Sequence, residues 1–232
     1  MNDVVIVSRI DRMMSKDGGK VSALTINWEL RAAGTTYDIA GAVQMDKVQT
    51  SDVAGVVSSH EGFGSGAFAS RGLDADSPCA VIPFFNRTEE LLSASNTWKG
   101  QPAAAIRKHT TTVTFSQPVD IASVLDSEMN FFIAPKQRTS EIHMPSYAPT
   151  ASGIIGKGSF LPSDPYKFFV TEGDQTKNNY MMWALMIPGE FRYPAETNDI
   201  RGVYEYFMAW ASSNGAEHAE WYLESADAGR IY

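Results

Sequence analysis

Residues 21–31, VSALTINWELR, constrain this chain more than any other stretch. Leu24, Ile26, Trp28 and Leu30 fall on one parity, and Thr25, Asn27, Glu29 and Arg31 on the other. Apolar and polar positions that alternate with period two describe a strand with one face in a core and one in water. A helix would need a period near 3.6, which this stretch lacks. The preceding SKDGGK is turn-forming by composition, so residues 3–10 and 21–31 are expected to form a hairpin.

The same short, β-branched runs recur along the chain. Further strands are expected at 36–44, 53–58, 79–85, 110–117, 130–134, 140–143, 166–171 and 181–187. Pro118 closes the run HTTTVTFSQPV, because proline cannot donate to a sheet ladder. The last of these strands, 181–187, is apolar on both parities and reads as buried, with Pro188 and Gly189 turning the chain after it. Many short strands separated by Gly, Pro and Asn suggest an antiparallel β-sandwich of jelly-roll type.

The tail changes period. Asp199 can cap a helix through 199–213, in which Val203, Phe207, Trp210 and Ala211 share a face and Gly215 supplies the stop. A shorter helix is expected near 217–224, so the C-terminal cover spans about 199–224. There is no internal repeat and no low-complexity linker, which favours one domain over residues 1–232. Trp28, Phe115, Phe132, Trp183, Phe207 and Trp210 are the expected core aromatics.

Charge excludes some partners. Nineteen Lys and Arg against 27 Asp and Glu give a formal net charge of −8, with no basic cluster. Nucleic acid and anionic membrane are therefore poor main partners. No apolar run is long enough to span a membrane. The single cysteine, Cys79, opens an apolar run and reads as an inert thiol. Because MNDVVIV enters a strand-like run at once, the expectation is that a leader has been removed.

Several blocks carry a resemblance. EIHMPSYAPT (141–150), WALMIPGEFRYPAE, YEYFMAWASSNG, EWY and the terminal IY resemble the LruC domain family, also known as DUF4842. Upstream, NDVVIVSRI, ELRAAG, AVIPFFNRTEELL, NTWKG and TVTFSQPV follow the family's order of blocks. Two positions depart from it: Ser146 stands where the family has Gly, and Met182 where it has Pro. The resemblance implies an exported bacterial protein at the cell surface or in the extracellular matrix, often lipoprotein-anchored, with no established catalytic residues. It also implies an acidic, calcium-like run at the start, of which Asn2 and Asp3 remain.

Candidate sites divide by chemistry. The oxygen-rich loop 161–180 offers Asp164, Glu172 and Asp174, which with Asn2 and Asp3 make the candidate calcium ligands. GFGSGAFASRG (62–72) lacks the Lys-Ser/Thr of a phosphate loop and reads as a mobile surface loop. No GxSxG elbow is present for serine hydrolysis. None of the four histidines has zinc-site spacing. Glu141 and His143 share a strand face and could interact, and His143 reads as a hydrogen-bonded structural histidine over a ligand or base. Trp98, Trp183, Trp210 and Trp221 could stack on sugars but lie in blocks expected to pack. The leading expectation is a non-catalytic surface or matrix module for adhesion, carbohydrate binding or assembly, with surface glycan or another surface protein as partner. The alternative is a glycan hydrolase, which would require two carboxylates flanking a groove.

Overall fold

The computed structural model describes residues 4–34, 37–154, 169–171, 179–182, 184–224 and 226–232. Two four-stranded antiparallel sheets face each other. The first is ordered β1 (Val5–Met14), β2 (Lys20–Ala32), β6 (His109–Asp120), β4 (Val53–Ser58). The second is ordered β5 (Cys79–Phe85), β3 (Ile39–Gln49), β7 (Met129–Pro135), β8 (Ile142–His143). From β2 to β7 the chain changes sheet at every connection, which is the wrapping of a jelly roll.

The alternation of β2 sets the core. Leu24 and Ile26 are fully buried and Trp28 and Leu30 are 2% exposed. They meet Val43 and Met45 of β3, Ile82 and Phe84 of β5, Val113 and Phe115 of β6 and Met129 of β7 in one apolar cluster. The hairpin ahead of β2 closes as its composition requires. Ser15 N donates to Lys20 O at 2.7 Å, and Gly18 sits at φ 71°, in the left-handed region that glycine tolerates best.

The second sheet also buries its outer face. Ala40 and Ala42 of β3, Val81 of β5 and Phe132 and Ala134 of β7 pack against Phe68, with Phe63 and Ala67 beside it. Those three residues belong to the glycine-rich segment 62–72, which is therefore a packed cover and not the mobile loop its composition suggests.

The C-terminal segment builds a third cluster around Val203, Tyr204, Phe207 and Trp221. The single helix expected over 199–213 is broken in two, α1 (Ile200–Val203) and α2 (Phe207–Ser212). Tyr204 interrupts it in an extended conformation (φ −116°, ψ 115°), bridges to Ala226, and donates its hydroxyl to Arg192 O at 2.6 Å. A tertiary bridge thus overrides helical period. The cap is as expected, with Asp199 accepting from Arg201 N at 2.9 Å. The shorter helix reduces to a 3-10 turn at Trp221–Leu223.

The apolar run 181–187 also departs from expectation. Two short strands, β9 (Phe169–Thr171) and β10 (Asn179–Met181), pair with each other, and no strand continues through 184–187. Leu185 and Ile187 pack by side chain against the C-terminal cluster, while Met186 is 48% exposed. Side-chain burial, with no ladder partner, explains the apolar composition. Of the expected core aromatics Trp28, Phe115, Phe132 and Phe207 are buried, Trp210 is partly buried, and Trp183 lies outside the described residues.

Candidate functional site

Alternation across β8 brings Glu141 and His143 to one face, and their side chains meet. His143 Nε2 lies 2.9 Å from Glu141 Oε2, and Nδ1 lies 2.6 Å from Asn130 Oδ1 on β7. The Asn130 amide is itself fixed, since Nδ2 donates to Ala148 O at 2.9 Å. Thr150 donates to the carboxylate twice, from N at 2.8 Å and from Oγ1 at 2.6 Å. Arg138 pairs with Glu141 and with Asp74 (3.1 Å) and lies over the rings of Phe68 and Phe132. Burial pulls the His143 imidazole pKa down, to about 3, against the attraction of Asp46 and with the Arg138 charge adding to the shift.

Such a histidine–carboxylate pair resembles half of a catalytic triad. Its surroundings argue otherwise. Glu141 is 1% exposed and His143 fully buried, and the carboxylate's oxygens are committed to Thr150, His143 and Arg138. A substrate atom has no approach to either group. Gly153 is part of the same closure, because a Cβ there would come within 2.2 Å of Glu141 Oε2. The network is a polar lock joining β7, β8 and the segment that follows. Within that segment Ser146 takes φ 71°, a left-handed geometry that glycine adopts most easily.

The glycine-rich cover is clamped from β5 onward. Asn86 Oδ1 accepts from Phe68 N at 3.0 Å, and its Nδ2 donates to Gly64 O and Phe68 O. Glu90 Oε1 accepts from Gly64 N at 2.8 Å. Gly66 allows the close approach, since a Cβ there would meet Asn86 Cβ at 2.7 Å. Phosphate would find these amides already occupied.

Beside this clamp, His60 Nε2 stands 3.6 Å from Glu90 Oε2, and His60, His109 and Trp28 pack as three rings. Burial lowers both histidine pKa values. Trp28 Nε1 donates to Thr111 Oγ1 at 3.0 Å. Among the described residues no group of three or more His, Cys, Asp or Glu is placed to hold a metal ion.

The candidate site is a shallow recess of about 420 Å³ between the outer face of the first sheet and the C-terminal segment. Glu29 and Arg31 of β2, Ile106 and Lys108 ahead of β6, and Glu190 to Tyr193 with Tyr232 line it. Its volume falls in the range of small-ligand sites. Arg31 is the central group: Nε binds Glu29 Oε1 at 2.7 Å and a terminal nitrogen binds Glu190 Oε2 at 3.1 Å. Those two hydrogen bonds hold the guanidinium pKa above its usual value. Tyr193 and Tyr232 stack nearly parallel, 5.4 Å between centroids. The Tyr193 hydroxyl donates to Asn96 O at 2.8 Å, and burial pushes its pKa up to about 12, so it stays a neutral phenol. The recess thus offers amphipathic rings beside fixed charges of both signs.

None of these recess residues is a candidate from the sequence, although ELRAAG, FRYPAE and IY mark three of their segments. The five candidate calcium ligands, Asn2, Asp3, Asp164, Glu172 and Asp174, lie outside the described residues. Of the tryptophans proposed for stacking, Trp210 and Trp221 are 5.5 Å apart in the C-terminal cluster, whereas Trp98 is 50% exposed and away from any core. Block membership does not bury a side chain, and Trp98 corrects that expectation.

No curated protein matches this chain at a significant level. Among solved structures, a "putative lipoprotein" from Bacteroides ovatus matches at a TM-score of 0.65 with 17% identity, covering 100% of this chain and 69% of the other. At that identity the likeness shows a shared fold. The family described as Domain of unknown function (DUF4842) matches residues 19–222, nearly the whole sandwich and its C-terminal cover. The chain belongs to the DUF4842 family.

Proposed function

We propose that residues 1–232 act as one non-catalytic module, exported to the cell surface or extracellular matrix, that serves adhesion by holding carbohydrate in the Arg31 recess. The observation that carries this reading is the state of the two recess carboxylates. Glycoside hydrolysis needs one carboxyl group to donate a proton and a second to act as nucleophile or base. Glu29 Oε1 and Glu190 Oε2 are both bound by the same guanidinium, so the two carboxylates are drawn to one cation and not set on opposite sides of an open groove. Charged hydrogen-bonding groups beside aromatic faces suit the hydroxyls and apolar faces of a sugar ring.

Three ties support a single unit. Tyr193 Oη donates to Asn96 O, Glu196 N donates to Thr97 O at 2.7 Å, and Lys99 Nζ donates to Ala228 O at 3.0 Å. They join the C-terminal segment to the loop between β5 and β6. Export is supported by the family resemblance, and no helix among the described residues is long and apolar enough to cross a membrane.

A glycan array screened with the wild-type chain and with Tyr232→Ala tests the recess. Removing a stacking ring from the lining of a small site is expected to weaken the best ligand roughly tenfold or more. Undiminished binding by the variant would move the site elsewhere. Calcium held by Asn2, Asp3, Asp164, Glu172 and Asp174 belongs to the same proposal on sequence grounds. Its expected sign is a melting temperature raised by millimolar calcium over chelator, and an unchanged melt would leave those groups as solvated loop residues.

A further inference from the structure

We infer that β1 is a self-complementary edge through which two copies of this chain join their first sheets. The two sheets present four edges among the described strands, and three are guarded. β4 is short and bulged against β6, β5 contains Pro83, and β8 has two residues. A short strand, a bulge or a proline blocks further pairing. β1 runs ten residues without proline, and its pairing with β2 is regular between the irregularities at Val5/Ile6 and Met13/Met14. Among the described residues no backbone group pairs with its outer side.

The occupant follows from the side chains. On the solvent face of β1 lie Val7, Arg9, Asp11 and Met13, with Val7 36% and Met13 64% exposed. A second copy must pair antiparallel about a two-fold axis, and side chains keep their face only for registers centred on a residue. Centred on Arg9, the arginines oppose each other; centred on Asp11, the aspartates do. Centred on Ile10, Arg9 of each copy opposes Asp11 of the other and Val7 opposes Met13. Like charges directly opposite destabilise a ladder and opposite charges stabilise it, so the charges select the Ile10 register. Arg9 already reaches Asp11 along its own strand at 2.9 Å, with side chains 80% and 46% exposed, so the pair is available without rearranging the core. The product is a continuous eight-stranded sheet, β4-β6-β2-β1 followed by its two-fold copy.

Sedimentation equilibrium of the whole chain tests this. A dimer is expected, weakened on the order of tenfold by Arg9→Asp, which sets two like-charge pairs face to face. The double variant Arg9→Asp with Asp11→Arg restores the complementarity and is expected to recover wild-type affinity. In a Cys79→Ser background, Ile10→Cys is expected to oxidise to a disulfide-linked dimer, because opposed Cα atoms lie about 4.5–5.5 Å apart in an antiparallel pair. A monomer at concentrations up to about 1 mM would overturn the inference. So would a dimer indifferent to the charge reversal and its repair.

Discussion

Glu141→Ala is expected to destabilise the fold by about 3–5 kcal/mol, the range for breaking a buried ion pair from one side. The carboxylate is 1% exposed and binds Arg138, His143 and both polar groups of Thr150. Its removal leaves a guanidinium and an imidazole facing a cavity, together with an orphaned backbone N–H. Glu141→Gln keeps the volume and loses only part of the bonding, so its cost should fall between the alanine variant and the parent. The triple change Glu141→Leu, Arg138→Met and His143→Phe removes the carboxylate, the guanidinium and the imidazole together, leaving Thr150, Asn130 and Asp74 in place. It should cost far less than the sum of the single changes, because unpaired buried charge and not lost attraction dominates the penalty. Urea unfolding measures all three. A Glu141→Ala cost below about 1 kcal/mol would show that water reaches the network and that the lock is not closed.

Trp221→Ala is the second large effect, expected at about 3–5 kcal/mol. Trp221 is 2% exposed and packs against Phe191, Tyr204, Phe207, Trp210 and Tyr222. α1 and α2 are four and six residues long, too short to hold themselves together. Their order comes from this ring. The loss should therefore be local first: hydrogen exchange should rise across 191–232 while β2, β3 and β6 keep their protection. Uniform loss of protection along the chain would mean that the two clusters unfold as one cooperative unit. Because the recess draws four of its lining residues from 190–193, the variant should also lose ligand binding.

Parity made much of this fold legible in advance. β2 reads directly from 21–31, and β4 and β5 begin and end where their β-branched runs do. The Glu141–His143 pair was legible too, because residues two apart on a strand share a face whatever the rest of the chain does. Other features depend on partners distant in sequence. Arg31 reaches Glu190 across 159 residues, so no local pattern announces the recess. The segment 62–72 looks mobile until Asn86, on the strand end it crosses, fixes its backbone. Helical period through 199–213 is real, yet Tyr204 has a β-bridge with Ala226 available, and a tertiary partner outweighs weak intrinsic propensity. The apolar run 184–187 has burial without a strand beside it, a distinction that periodicity cannot make.

The recess reading stands or falls on whether the bound glycan is left intact. The direct measurement is to take the tightest ligand from the array, incubate it with stoichiometric protein, and follow binding and reducing-end release in the same sample. With Glu29 and Glu190 both held by Arg31, the expected result is saturable binding, lost with Tyr232→Ala, and no release above the protein-free control. Release by the wild-type chain that disappears in Glu190→Gln would contradict the account, because it would make that carboxylate a catalytic group.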